Sequence, residues 1–145
     1  MTARPSADLR RQVIRRAGNR CEYCLIHQDD AIASHQTDHV IADKHGGPTS
    51  LSNLALACIL CNIRKGSDLS SVDPETNEVT PLFNPRTQIW EDHFRFEDTS
   101  IIGQTPVGRA TFSIRQRVPQ LATYRWASKY FFIKSRGRAL RSPQW

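Results

Sequence analysis

Apolar residues recur at helical spacing near the start of the chain, at Leu9, Val13, Ile14 and Ala17. Ser6 ahead of them suits a helix cap and Gly18 behind them suits a stop, so a helix is expected between the two, with Arg10, Arg11 and Arg15 toward its other side. Over residues 33–41 a weaker alternation predicts a strand, followed by a loop through Gly46-Gly47-Pro48. Asn53-Leu-Ala-Leu-Ala57 predicts a short apolar partner strand. Ile59 to Lys65 then has the length of two helical turns before Gly66 ends it.

The texture changes from residue 71. Asp73-Pro-Glu-Thr-Asn77 is a turn sequence and Phe83-Asn-Pro85 a further break. Residues 93–97 and 99–102 can pair as a hairpin around Asp98. Thr105 followed by Pro106 is a helix start, because threonine caps and proline suits the first helical position. Helices are expected over 106–117 and 120–134, divided by Pro119, with a basic tail over 136–145. The last helix mixes Tyr124, Trp126, Tyr130, Phe131 and Phe132 with Arg125, Lys129 and Lys134, a pattern that suits packing better than base stacking.

At 145 residues the chain fits one domain, or a small core with an extension, and buries only a modest hydrophobic core. No apolar run has the length of a membrane span and no secretion signal opens the chain, so no membrane partner and a cytoplasmic location are expected. The net charge of +6 is unevenly spread, with cationic ends around an acidic middle that reaches −6 over residues 68–98. Cationic ends suit a polyanionic partner. The four cysteines fall as two Cys-x-x-Cys pairs, Cys21/Cys24 and Cys58/Cys61, a spacing that predicts reduced thiolates on a structural zinc ion, with a redox pair as the alternative.

Between and beside the cysteines stand Asp38, His39, Asn53 and Asn62. Hydrolysing a phosphodiester needs a water, a group to take its proton, and positive charge near the phosphate and leaving oxygen. Asp38 and Asn62 offer hard oxygen ligands suited to magnesium, and a neutral His39 can accept a proton. Adjacent strand residues point to opposite faces, so a twisted strand end is needed to bring Asp38 and His39 to one phosphate. His35 shares the face of His39 on this strand, but about 13 Å separates them, so it is expected to be structural.

Taken in order, Cys21-Glu-Tyr-Cys24, Asp38-His39-Val-Ile, His45-Gly-Gly-Pro, Asn53-Leu and Ala57-Cys58-Ile-Leu-Cys61-Asn62-Ile-Arg-Lys65-Gly resemble the HNH endonucleases over about residues 9–67. Phe83-Asn-Pro-Arg86, Trp90, His93-Phe94 and Gly108-Arg-Ala-Thr111 more loosely resemble an extension of some stand-alone bacterial members. The resemblance implies an α+β fold: a small ββα-metal core with a zinc clasp, an N-terminal helix, and a C-terminal extension of a hairpin plus helices. It implies His39 as general base, Asp38 as a ligand of the catalytic metal, and Asn53 as the asparagine that braces the loop and orients the histidine. Asn62 stands where many relatives place a histidine ligand, which makes this a His-Asn-Asn variant and favours Mg2+ or Mn2+ over zinc at the catalytic site. Lys65, one helical turn beyond Asn62, is expected to meet a phosphate.

The expectation is thus a metal-dependent DNA endonuclease or nickase, of stand-alone bacterial or phage type, with a nuclease core over residues 1–70 and an extension over 71–145 packed on it. Arg10, Arg11, Arg15, Arg64 and Lys65 would contact the DNA backbone, which carries no sequence information. The alternatives are a zinc-stabilised nucleic-acid binding module without cleavage activity and an RNA-cleaving nuclease.

Overall fold

A computed structural model of the chain describes residues 4–116, so the helix expected over 120–134 and the basic tail lie outside the described residues. Two compact units divide the chain. The first runs to Asp68 and includes Asn84–Gln88, and the second comprises Leu69–Phe83 and the chain from Ile89.

In the first unit, helix α1 (Ala7–Ala17) begins where the Leu9 amide donates to Ser6 Oγ at 3.1 Å. It ends at Gly18, whose φ of 60° lets the Gly18 and Asn19 amides fold back onto the carbonyls of Arg15 and Ile14. Strand β1 (Gln36–His39) pairs antiparallel with β2 (Leu54–Ala57), placing Asp38 opposite Ala55 and His39 opposite Leu54. All four residues of β2 are buried, and Leu54 and Leu56 pack with Val13 and Ala17 of α1, flanked by Leu9, Ile14 and Leu51. Helix α2 (Ile59–Lys65) follows directly and ends at Gly66.

Two arginines of α1 reinforce this packing. Arg16 donates to the carbonyls of Leu51, at 2.7 Å, and of Leu54, while Arg10 donates to His35 O at 2.8 Å and Thr37 Oγ1 at 3.1 Å. The helix is therefore bolted to the entry of each strand. β1 is shorter than the strand expected over 33–41, because His35 turns inward, buried, with Nε2 3.0 Å from Ile26 O. Asn53 lies in a turn of 3-10 helix ahead of β2 rather than in the strand. Gly47 is required by the loop between the strands, since a Cβ there would fall on the Ile41 carbonyl and 2.7 Å from Asn53 Nδ2.

In the second unit, the three-residue strands β3 (Ser70–Val72) and β4 (Val79–Pro81) form a hairpin around the turn at Asp73. One helical turn, α3 (Trp90–His93), leads into β5 (Phe94–Glu97), which pairs with β6 (Ser100–Gly103) across Asp98, at φ 52°. Trp90, Phe94 and Phe83 stack in sequence, with ring centroids 5.2 Å apart at both steps. Helix α4 (Pro106–Gln116) starts as expected, the Gly108 amide donating to Thr105 Oγ1 at 3.1 Å. Gly108 lets α4 lie against the backbone of His93 and Gly103, where any side chain would collide.

A buried ion pair holds this unit. Asp73, with no exposed surface, accepts from Arg109 Nε at 2.9 Å and from its terminal nitrogen at 2.8 Å. The Glu75 amide and Thr76 hydroxyl each add a bond at 3.1 Å. The fork of Arg109 holds the Asp73 carboxyl well below the ordinary carboxylate range. Below about pH 4 an unfolded aspartate takes up a proton that the folded Asp73 refuses, so stability present above that pH is lost as pH falls. Thermal melts from pH 6 to pH 2 are expected to show a decline below pH 4 that is shallower in Asp73→Asn, which also melts lower at neutral pH. Parallel profiles for the two proteins would show that Asp73 carries none of this dependence.

Candidate active site and metal centre

Residues Cys21 to Ile26 are all buried. They form a tight loop in which the Cys21 amide donates to Ile26 O at 2.9 Å and the Leu25 amide to Cys21 O at 2.8 Å. Leu25, at φ 65°, turns the chain back so that Ile26 meets Cys21. Cys58 is the N-cap of α2, its Sγ accepting from the Cys61 amide at 3.4 Å, so Cys61 lies one helical turn beyond it. The four sulfurs lie within 4.8 Å of one another, with Cys24 and Cys58 3.7 Å apart. A tetrahedral zinc–thiolate site, with Zn–S near 2.3 Å, has sulfur–sulfur edges of about 3.8 Å. The four cysteines are unbridged, and burial pushes the Cys21 and Cys24 thiols well above their usual range, a tendency that a bound cation reverses. The donor set and spacing fit a closed structural metal site.

Glu22, inside the clasp, has no exposed surface. Its Oε2 accepts from the Leu56 amide at 2.7 Å, its Oε1 from Arg86, and Arg16 lies 3.8 Å away. The Glu22 amide in turn donates to Leu56 O at 2.8 Å, which fastens the clasp to β2. Burial raises the Glu22 carboxyl above its ordinary value, against the pull of Arg86.

Asp38 and His39 diverge, as adjacent residues on a pleated strand must. Asp38 faces inward, 7% exposed. Its Oδ2 accepts from Tyr23 Oη at 2.9 Å and lies 3.2 Å from Lys65 Nζ. Burial raises its carboxyl, opposed by Lys65 and Tyr23. His39, the last residue of β1, is half-buried and sets Nε2 2.8 Å from Thr49 Oγ1. Asn53 holds the loop that presents Thr49: its Oδ1 accepts from the Ile41 amide, and its Nδ2 donates to the carbonyls of Ile41 and Pro48, all at 2.9 Å. Asn62 is half-buried on α2, its side chain making no hydrogen bond among the described residues.

The cationic residues separate into two groups. Lys65 is buried rather than presented on the surface, its Nζ donating to His39 O at 3.0 Å besides meeting Asp38. Arg10 is likewise engaged inside the fold, on the entry to β1. Of the other residues expected to contact nucleic acid, Arg11 and Arg15 are exposed, Arg11 beside Asp8 at 3.2 Å, and Arg64 is half-buried. Arg86 meets Glu22 of the clasp, and Arg109 meets Asp73.

Sequence patterns gave no role to Glu22, Tyr23 or Thr49. Spacing rules point to ligands and periodicity to buried faces, whereas these three matter through partners that the tertiary path brings to them. The one available signal was position: two lie within the cysteine pair and one between His39 and Asn53.

Comparison with curated proteins and with solved structures returned no match. A scan against family models matched residues 21–68 to the HNH endonuclease. That span holds both cysteine pairs, the β1–β2 hairpin, α2, Asp38, His39, Asn53 and Asn62. With a ββα unit beside a four-thiol cluster and an Asp-His pair closing the first strand, the chain carries an HNH endonuclease domain over residues 21–68.

Proposed function

We propose that this chain is a metal-dependent DNA endonuclease or nickase. Nuclease-type chemistry follows from the HNH domain; its catalytic details rest on the residues themselves. The observation that carries the proposal is the setting of His39, whose Nε2 is held 2.8 Å from Thr49 Oγ1; with that nitrogen donating to the hydroxyl, Nδ1 would be the atom to take a proton. Thr49 is in turn positioned by the loop that Asn53 ties at both ends.

Asp38 and Asn62 would hold a single Mg2+ or Mn2+ ion. Their oxygen donors suit such an ion, and the Asp38 carboxylate keeps Oδ1 unengaged among the described residues. When bound, the ion supplies positive charge to the phosphate and the leaving oxygen. Lys65 joins the Asp38 carboxylate to the His39 carbonyl and so ties α2 to the end of β1. Its role is positional as much as electrostatic. The four-cysteine clasp would hold zinc, which would serve the fold. Arg11 and Arg15, exposed on α1, and Arg64 contact the DNA backbone, and the protein works in the cytoplasm.

Plasmid nicking in magnesium tests the chemistry. Wild-type protein is expected to nick supercoiled DNA, and His39→Ala to slow nicking by at least about 100-fold, the lower range for loss of a general base. Equal nicking by both proteins would remove His39 from the mechanism. Salt-sensitive DNA binding without cleavage would instead identify a binding module, and faster digestion of a matched RNA would identify a ribonuclease.

The zinc assignment is tested separately. Protein purified without added metal is expected to carry one zinc ion per chain by atomic absorption, and Cys58→Ser to lose it along with the cooperative unfolding transition. Full folding of metal-free protein would overturn a structural role for zinc. Magnesium is expected to restore nicking to protein depleted of weakly bound metal without altering its zinc content.

A further inference from the structure

The clasp and the hydrolytic site share a residue that neither function requires by itself. Tyr23 stands inside the first cysteine pair, fully surrounded, yet its hydroxyl leaves the sulfur cluster and donates to Asp38 Oδ2 at 2.9 Å. Lys65 Nζ approaches the same oxygen at 3.2 Å from the other element of the core, α2. Both donors converge on Oδ2, and Oδ1 has no hydrogen-bond partner among the described residues. A carboxylate held by two donors on one oxygen has a fixed rotamer and a fixed choice of free oxygen.

We propose that Tyr23 is a positioning residue for metal binding: its hydroxyl, set by the cysteine clasp, holds Asp38 so that Oδ1 faces the Mg2+ or Mn2+ ion. This rests on the proposed role of Asp38 as a metal ligand and adds the means by which it is oriented. Outer hydrogen bonds to a ligating carboxylate reduce the reorganisation needed on binding, and their loss usually costs 10–100-fold in metal affinity or activity. Tyrosine suits the task because its ring is buried while the hydroxyl reaches 15 residues along the chain to β1. Phenylalanine fills the same space without the hydrogen bond.

Under this arrangement, the fold's permanent metal site controls its exchangeable one through a single hydrogen bond. Moving the Cys21–Cys24 loop moves the Tyr23 hydroxyl, and with it the ligand oxygen.

The test measures Mn2+ binding by the loss of the free-ion EPR signal, with zinc content and thermal melting followed in parallel. Tyr23→Phe is expected to keep its zinc and to raise the Mn2+ dissociation constant about 10-fold, and Asp38→Ala to raise it further. Unchanged Mn2+ affinity in Tyr23→Phe, with Asp38→Ala impaired, would overturn the role of Tyr23 and leave Asp38 as a ligand. Unchanged affinity in both would remove Asp38 from the metal site and the proposal with it. Wild-type protein carrying 13C at the tyrosine Cζ gives a second measurement that needs no folded variant. The Tyr23 signal is expected to shift on Mg2+ addition with the same half-saturation as binding, and a stationary signal through saturation would overturn the proposal.

Discussion

Four sulfur atoms within 4.8 Å of one another are the constraint on which the first unit depends. Two come from the loop after α1 and two from the start of α2, Cys24 and Cys58 standing 34 residues apart in sequence. The span between them holds the entire β1–β2 hairpin, so closing the clasp brings the hairpin ends together and starts α2 at its N-cap. The apolar core of the first unit is small, a few side chains of α1 against β2, and a core of that size leaves loop closure expensive in entropy. A metal shared by four ligands offsets that cost and fixes geometry more sharply than apolar contact does.

A second constraint recurs in both units: a carboxylate with no exposed surface that must be fully satisfied. Glu22 receives a backbone amide and Arg86, with Arg16 close by; Asp73 receives the fork of Arg109, an amide and a hydroxyl. An unpaired buried carboxylate is costly, and one fully hydrogen-bonded specifies a single arrangement of the loops around it. The two differ in balance. Burial prevails at Glu22 and raises its carboxyl, whereas the Arg109 bonds prevail at Asp73 and lower it.

The elements that could be seen in the sequence are those written locally. Ser6 and Gly18 bracket α1, Gly66 stops α2, Asp98 turns β5 into β6, and Thr105-Pro106 starts α4, each through chemistry confined to a few neighbouring residues. β3 and β4 were missed because three residues are too few to establish an alternation, although the turn between them was evident. The partners of long side chains were the least visible. Arg10 shares the charge and helical spacing of Arg11 and Arg15 yet ends on β1, because only the tertiary path decides which arginine passes over an unsatisfied carbonyl. Six arginines fall in the first twenty residues, and Arg10, Arg11 and Arg15 were the ones expected on a phosphate backbone. Arg10 and Arg16 instead bolt the helix to the hairpin, and Arg20 donates to Leu25 O of the clasp at 3.1 Å.

The proposed structural zinc and the proposed catalytic ion would demand opposite things of the same small core. A structural ion is best held by a closed, buried set of soft ligands that never exchange, which four cysteines provide. A catalytic ion must admit substrate and leave, so its protein ligands must be few and hard, and their order must come from outside the ion's own shell. Asp38 meets the second demand only if something else orients it, because it sits at the end of a four-residue strand whose neighbour, His39, faces away. Tyr23 and Lys65 supply that order from the two elements the clasp binds together. Rigidity of the sulfur cluster would thereby reach the proposed catalytic site through these two contacts.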